Sequence, residues 1–302
     1  MKTPLVSIIL FAHAPFAKFL PVSLGSILSQ SYTSLQVIVL GDGSEEVKEV
    51  VHAFREDGRL DHRAQGSLPF LQAANELMEE CEGAYIGTWN SDDIYNRDHV
   101  KILVEALERD PGAGAAFDNM EYFRDGERDQ GLALGLIISE DRAKKLALSR
   151  VTLKQIFVDN FMTGPSSLIR KSVVTQIGGY EKNTFLNCDL HWFYRIAAYF
   201  PLRFVNYVGV RKRLHPLNNT AVNPHYEYGV KELEDIRDHY PDVYRRIGGR
   251  TFNKKLGRKY FRLGLYYDRC GEKTRATEAY KRAMFLRKFS FHYHWSYVRS
   301  LM

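Results

Sequence analysis

Ala84-Tyr85-Ile86-Gly87-Thr88-Trp89-Asn90-Ser91-Asp92-Asp93 is the stretch on which the fold turns. Its first six residues, β-branched and aromatic around one glycine, read as a buried strand, and the polar four that follow read as the loop leaving it. Two adjacent carboxylates then stand at a strand's C-terminal end. In open α/β sheets that edge binds ligands, because the loops leaving parallel strands enclose a crevice. Carboxylate oxygens suit hard divalent cations, which can bridge to a diphosphate. The plainer reading is an acidic turn that caps a helix beginning near Asn96.

On the N-terminal side, residues 5–11 are an apolar run of strand length, and Phe16, Phe19, Leu20, Leu24, Ile27 and Leu28 follow at helical spacing. Residues 36–40 repeat the strand pattern and stop in Gly41-Asp42-Gly43-Ser44, where Ser44 can cap a helix over 45–54. A short strand from Leu60 and a helix over 68–80 lead into the acidic stretch. Alternating strands and helices at this spacing mark βαβ units around a mainly parallel sheet, so the fold class is α/β and Rossmann-like. On the C-terminal side the patterns predict helices over 96–109, 171–177 and 189–199, strands near 113–119, 167–169 and 207–213, and a polar loop over 125–135. From about residue 223 the chain reads as wholly helical. Tyr260, Leu263, Gly264, Tyr267, Gly271, Ala276, Tyr280 and Ala283 match one tetratricopeptide helix pair. One such pair cannot bury its apolar face alone, so it should pack on the rest of the chain or on another subunit. The expected division is an α/β domain over 1–222 and an all-α extension over 223–302.

The composition, 45% hydrophobic and 26% charged over 302 residues, excludes a disordered or fibrous chain. Charge is uneven: from residue 251 onward there are 13 Lys/Arg against 3 Asp/Glu, although the whole chain carries only +6. Residues 287–299 interleave Phe289, Phe291, Tyr293, Trp295 and Tyr297 with basic groups. That pattern suits an anionic membrane surface, and equally a packing or dimer surface. No nucleic-acid reading motif accompanies it, so nucleic acid is not an expected partner. Cys81, Cys188 and Cys270 form neither a disulfide framework nor a metal finger, which points to a reducing, cytoplasmic location. Lys2 and the run after Leu5 resemble a weak signal peptide, but Pro4 and the early return of polar residues favour a first strand. No apolar run approaches the ~20 residues that cross a bilayer. Any membrane contact is therefore expected to be peripheral, on the inner face.

Four more features can carry chemistry. Asp42 sits in a glycine turn at the end of the second strand, on the same sheet edge, where a carboxylate can accept a nucleobase N–H or simply close an acidic turn. Asp189 opens a helix and can serve the helix dipole or take a proton from an attacking hydroxyl. His215 is a potential metal ligand or a surface histidine. Arg211, Lys212 and Arg213 can neutralise phosphate or form a solvated face.

The order of these features carries a resemblance. Pro4-Leu5-Val6-Ser7-Ile8-Ile9, Ser26-Ile27-Leu28-Ser29-Gln30-Ser31-Tyr32, Val37-Ile38-Val39-Leu40-Gly41-Asp42-Gly43-Ser44, Ala73-Ala74-Asn75 and Glu82-Gly83-Ala84-Tyr85-Ile86 come first. Asn90-Ser91-Asp92-Asp93, Gly178-Gly179-Tyr180-Glu181, Cys188-Asp189 and His215 follow. Together, over residues 4 to about 220, they resemble the family 2 inverting glycosyltransferases of GT-A fold. The resemblance implies a nucleotide-sugar donor, a UDP-sugar by preference, held by Phe11, His13, Asp42, Asn75, Asn90, Ser91 and Asp92. It implies Mn²⁺ or Mg²⁺ on Asp92, Asp93 and His215, and diphosphate contacts from Arg211 and Arg213. Thr163, Cys188 and Trp192 would meet a glycan, lipid-linked or protein acceptor, and Asp189 would be the general base. The chain departs from the family at Asn90, usually acidic, and at Gly41, Phe11, His13, Ala74 and Cys188. Those departures leave room for weak metal dependence, an unusual donor, or a silent nucleotide-sugar-binding scaffold that acts through its helical tail.

Overall fold

The computed structural model describes residues 3–125, 132–182, 188–218, 225–287 and 295–297. A ten-stranded sheet forms its centre. β1 (Val6–Ala12), β2 (Leu35–Gly41), β3 (Leu60–Ala64) and β4 (Tyr85–Asn90) lie in the order β3-β2-β1-β4, all parallel. The helices α1 (Leu20–Leu28), α2 (Glu45–Ala53) and α3 (Phe70–Glu80) connect them. Val6, Ile8, Ile9 and Leu10 are all fully buried, because a parallel strand covered on both faces has no solvent side and so reads as a continuous apolar run.

Beyond β4 the sheet becomes mixed. β9 (Ser167–Arg170) lies antiparallel between β4 and β6 (Ala115–Arg124), and β10 (Leu202–Arg213) runs parallel to β6. β5 (Ile94–Tyr95), β7 (Leu132–Leu136) and β8 (Arg150–Val151) add antiparallel pairings. The chain thus adopts the α/β class expected from its sequence. Two differences concern length. β10 begins at Leu202 rather than near 207, and its ladder with β6 is interrupted by register shifts between Phe204 and Val210 that break the two-residue period. Residues 132–135 of the expected polar loop belong to strand β7; residues 126–131 lie outside the described residues.

The acidic turn is not a helix cap. After Asp93 the chain makes β5, and α4 (His99–Arg109) starts only at His99, with Asp98 in the N-cap position. Asp92 and Asp93 are thereby released from that role and stand at the sheet edge.

The remaining helices are α5 (Glu140–Ala147), α6 (Leu153–Val158), α7 (Lys171–Ile177), α8 (Cys188–Tyr199), α9 (His225–His239), α10 (Pro241–Ile247), α11 (Gly249–Arg269) and α12 (Lys273–Leu286). α11 and α12 form the helix pair read from the sequence. Gly271 turns between them at φ +76°, and Gly264 leaves room for the Tyr280 ring, which would lie 2.6 Å from any Cβ there. The pair packs inward as required: Phe252 stacks on Phe157 with centroids 5.4 Å apart. Lys255 donates to Asn160 Oδ1 at 2.6 Å and to the Tyr194 hydroxyl at 2.9 Å. Buried residues on both sides of residue 222, from Phe117 and Phe193 to Leu256 and Tyr280, belong to one apolar cluster. Among the described residues no helix is long and apolar enough to cross a membrane. Most of the basic aromatic stretch 287–299 lies outside the described residues.

Candidate functional site

Strand register brings the site together. Phe11 pairs with Leu40 on one side and Asn90 on the other, and Ala12 pairs with Gly41. His13, Asp42 and Ser91 therefore leave β1, β2 and β4 side by side on the same edge. Phe70, at the start of α3, packs on Phe11 (4.9 Å) and His13 (5.2 Å) and makes an aromatic wall. Asp42 accepts hydrogen bonds from the Ala14 N–H (2.8 Å), the Ser44 N–H (3.1 Å) and the Ser44 hydroxyl (2.6 Å). Burial pushes its carboxyl up, but these three donors and His13 outweigh it, so Asp42 titrates below the ordinary carboxylate range. Burial, only partly countered by Asp42, lowers His13 and leaves its ring neutral at physiological pH. A Cβ at Gly41 would lie 2.8 Å from His62 Nε2, so a side chain there requires the His62 ring to move.

At the acidic turn the two carboxylates face different ways. Asp93 is buried, and its Oδ1 accepts the Arg213 N–H at 3.1 Å, while Oδ2 has no hydrogen-bond partner among the described residues. Burial and then the neighbouring Asp92 charge hold Asp93 above the usual carboxylate range, opposed by Lys212, the Arg213 N–H and Asn90. Asp92 turns outward. Its Oδ2 lies 3.1 Å from His215 Nε2 and 3.2 Å from Asn218 Nδ2. Ser91 is buried and gives its N–H to the Phe11 carbonyl at 3.2 Å, and the backbone N–H and carbonyl of Asn90 both meet the Tyr95 hydroxyl.

These donors fit a hard or borderline divalent cation. One carboxylate oxygen and one imidazole nitrogen already converge, and the buried His215 Nδ1 is unpartnered among the described residues. No group of three His, Cys, Asp or Glu side chains suited to a metal occurs among the described residues. Diphosphate oxygens and water would thus complete the shell, as is usual for Mg²⁺ sites.

β10 supplies the basic face, and strand alternation divides its residues. Arg211 approaches Glu121 at 3.6 Å and lies over the Phe123 ring. Arg213 is buried, pairs with Asp125, donates to the Asp92 carbonyl at 3.0 Å, and lies over Phe19 and Phe123. It braces the acidic turn. Lys212 points the other way, into the fields of Asp93, Asp92, Tyr122 and Asp189; burial alone would lower it, but these anionic partners win and keep it charged. The sequence reading weighed Lys212 only as part of a basic run. The two-residue period was the available signal that it differs from its neighbours.

Asp189 stands in the first turn of α8. Its Oδ1 accepts the Leu190 N–H at 2.7 Å, and Oδ2 accepts the Gly164 N–H at 3.4 Å. Burial holds this carboxyl above its usual range, against the pull of both N–H groups and Lys212. Cys188 precedes it in the chain and Thr163 precedes its partner Gly164, with the Thr163 hydroxyl 3.1 Å from Ser166 Oγ and the Cys188 thiol raised by burial. Two expected contacts are placed differently. Trp192 is fully buried, with its indole N–H on the Gly178 carbonyl at 2.7 Å and its ring against Tyr180 at 5.0 Å, so it presents no surface to an acceptor. The Asn75 side-chain amide both donates to the Tyr180 carbonyl (2.9 Å) and accepts the Tyr180 N–H (2.7 Å), which makes it a brace for that loop.

Asp42, the Asp92–His215 pair and Asp189 are thus each held by specific hydrogen bonds, with Lys212 in the field of Asp92, Asp93 and Asp189. Residues 7–178 match the model of "Glycosyl transferase family 2", and the chain belongs to that family. It is 29% identical to an uncharacterized glycosyltransferase of Haemophilus influenzae over 35% of this chain and 33% of that protein. It is 28% identical to the chondroitin synthase of Escherichia coli over 36% of this chain and 16% of that one. The match therefore spans about a third or less of these relatives' own length. In fold, the chain resembles S. aureus TarS 1-349 in complex with UDP-GlcNAc, with TM-score 0.62 at 12% identity over 95% of this chain and 93% of that one. It also resembles the mannosyltransferase PcManGT from Pyrobaculum calidifontis in complex with GDP-Man and Mn²⁺, with TM-score 0.60 at 15% identity over 100% and 85%. The GT-A architecture expected from the sequence is thus shared with both.

Proposed function

We propose that this chain is an inverting glycosyltransferase that moves a sugar from a UDP-sugar to a hydroxyl of a glycan, lipid-linked or protein acceptor. The observation that carries the reading is convergence. Asp42, Asp92, the Lys212–His215 stretch and Asp189 come from four separate segments, with Asp42 and Asp92 leaving neighbouring strands, His215 on Asp92, and Lys212 in the field of Asp92 and Asp189. Asp42 and the Phe11–Phe70 wall are suited to a nucleobase, since one accepts its N–H and the other covers its face. Asp92 and His215 would hold Mn²⁺ or Mg²⁺, with Asp93 behind them; such a cation, when bound, neutralises the departing diphosphate. Lys212 adds a positive charge that interacts with both the acidic turn and Asp189. Asp189, raised by burial, takes the acceptor's proton as its oxygen attacks the anomeric carbon, and one displacement inverts that carbon.

The direct test is calorimetric titration of UDP with and without Mn²⁺, followed by UDP release from a donor panel headed by UDP-GlcNAc with GDP-mannose as competitor. We expect binding that Mn²⁺ strengthens and that Asp92→Ala weakens. Absence of UDP binding under both conditions would sink the reading. A panel on which UDP binds but no donor turns over would favour a silent scaffold. For the basic C-terminal helices we favour contact with an anionic membrane surface on the cytoplasmic side, tested by flotation with anionic vesicles. Failure to float, with a dimer in sedimentation, would assign that face to a second copy instead.

A further inference from the structure

Behind the acidic turn lies a buried pair that the proposed reaction does not use. His99, the first residue of α4, and Asp118, in β6, are both excluded from solvent and joined Nδ1 to Oδ2 at 2.7 Å. The other ring nitrogen, Nε2, lies 3.1 Å from the Pro165 carbonyl oxygen. A carbonyl can only accept, so Nε2 carries a hydrogen, and a single further proton lies between Nδ1 and Asp118. The ring cannot turn away. Trp89 and Tyr95 pack on it with centroids at 4.8 and 5.9 Å, and Gly209 closes the pair so tightly that a Cβ there would lie 1.9 Å from Asp118 Oδ2.

Pro165 follows Gly164, and the Gly164 N–H is the donor that meets Asp189 Oδ2. Asp189 Oδ1 is already held by its own helix at Leu190. Oδ2 is thus the oxygen placed to receive a proton, and the 164–165 segment sets its direction. Within the loop the Gly164 carbonyl accepts the Ser167 N–H at 3.1 Å and the Ser167 hydroxyl at 3.0 Å, which closes the turn on itself. Proline has no N–H, and a side chain on Gly164 would strike the Thr88 carbonyl at 2.8 Å, so the backbone is pressed against β4 and anchored at Pro165 by His99. A net-neutral His–Asp pair whose ring is hydrogen-bonded at both nitrogens in a dry interior is a stiff anchor, because breaking either bond leaves a buried polar group unpaired.

We infer that His99 and Asp118 are positioning residues, which fix the Asp189 carboxylate through Pro165 and Gly164. The inference rests on Asp189 acting as the base. Asp118→Asn keeps the anchor, since its amide donates to Nδ1 and leaves the hydrogen on Nε2; Asp118→Leu and His99→Phe remove it. The test compares these variants in the full chain, by crystal structure, by calorimetric binding of UDP, and by UDP release from UDP-GlcNAc. In the Leu and Phe variants we expect Asp189 Oδ2 to leave Gly164 N, with kcat down about 10²-fold and UDP affinity unchanged. The Asn variant should retain position and rate. An unmoved Asp189 in the Leu and Phe structures would overturn the inference, as would an Asn variant as damaged as the Leu variant, or loss of UDP affinity in step with rate. If the unaltered chain turns over no donor, the functional reading fails alone, and the Asp189 displacement still decides the positioning. Should the Leu variant not fold, the Phe variant and the Asn rescue carry the comparison.

Discussion

Asp189 holds one short and one long hydrogen bond, and that asymmetry leaves Oδ2 available to a proton. Asp189→Asn should cut kcat by about 10²–10⁴-fold while UDP affinity is kept, because the lost function is proton transfer alone. As the proposed base, Asp189 works ionised, and burial raises its pKa, so kcat/KM should fall on acidification with a midpoint above the ordinary aspartate value of about 3.9. A limb at or below that value would show that Asp189 is not the group that titrates. Glu232, on α9, offers a stability counterpart. Both its oxygens are buried and unpartnered among the described residues, and burial raises its carboxyl against Lys259 and Lys255. A raised folded pKa means stability present below glutamate's ordinary value of about 4.3 and lost as pH rises through the raised value. Glu232→Gln should accordingly gain about 1–3 kcal/mol at pH 8 and nothing at pH 4, read from urea unfolding. Asp42, Asp92 and Asp189 were legible in the sequence because their types and order form a motif. Lys212 and Glu232 were not, because what distinguishes them is burial among charges from distant segments.

At the scale of elements, β10 shows how a strand can be hidden. Its register shifts between Phe204 and Val210 break the alternation by which strands are recognised, and the break serves the packing: Gly209 passes directly over the His99–Asp118 pair. Gly209→Ala should destabilise the fold by about 3 kcal/mol, since neither buried partner can yield to a Cβ 1.9 and 2.1 Å away. A guanidinium midpoint unchanged from that of the parent chain would refute this packing account. β1, β2 and β4 were plain from composition, because strands covered on both faces need no alternation. β7 is not legible in the sequence because among the described residues it pairs with β6 alone, and its identity comes from that pairing rather than from its own residues.

Across the whole molecule, the apolar cluster crosses the boundary expected at residue 222. Phe252 is fully buried against Phe157, and Lys255 reaches Asn160 and Tyr194. We therefore propose that residues 1–222 and the helices after them unfold as one unit. Calorimetry should give a single transition, and Phe252→Ala should lower the stability of that whole transition by about 3–5 kcal/mol. Two separated transitions would restore independent domains. Sequence by itself determined the α/β class, the helical C-terminal region and the identity and order of Asp42, Asp92, Asp189 and His215, because apolar periodicity and short motifs are local properties of a chain. Only the tertiary structure decided that the acidic turn is not a helix cap, that Lys212 sits in the combined field of Asp92, Asp93 and Asp189 while Arg213 pairs with Asp125, and that Trp192 and Asn75 are hydrogen-bonded to the 178–180 segment. Each of those outcomes depends on the register and burial of segments far apart in sequence, which no local pattern records.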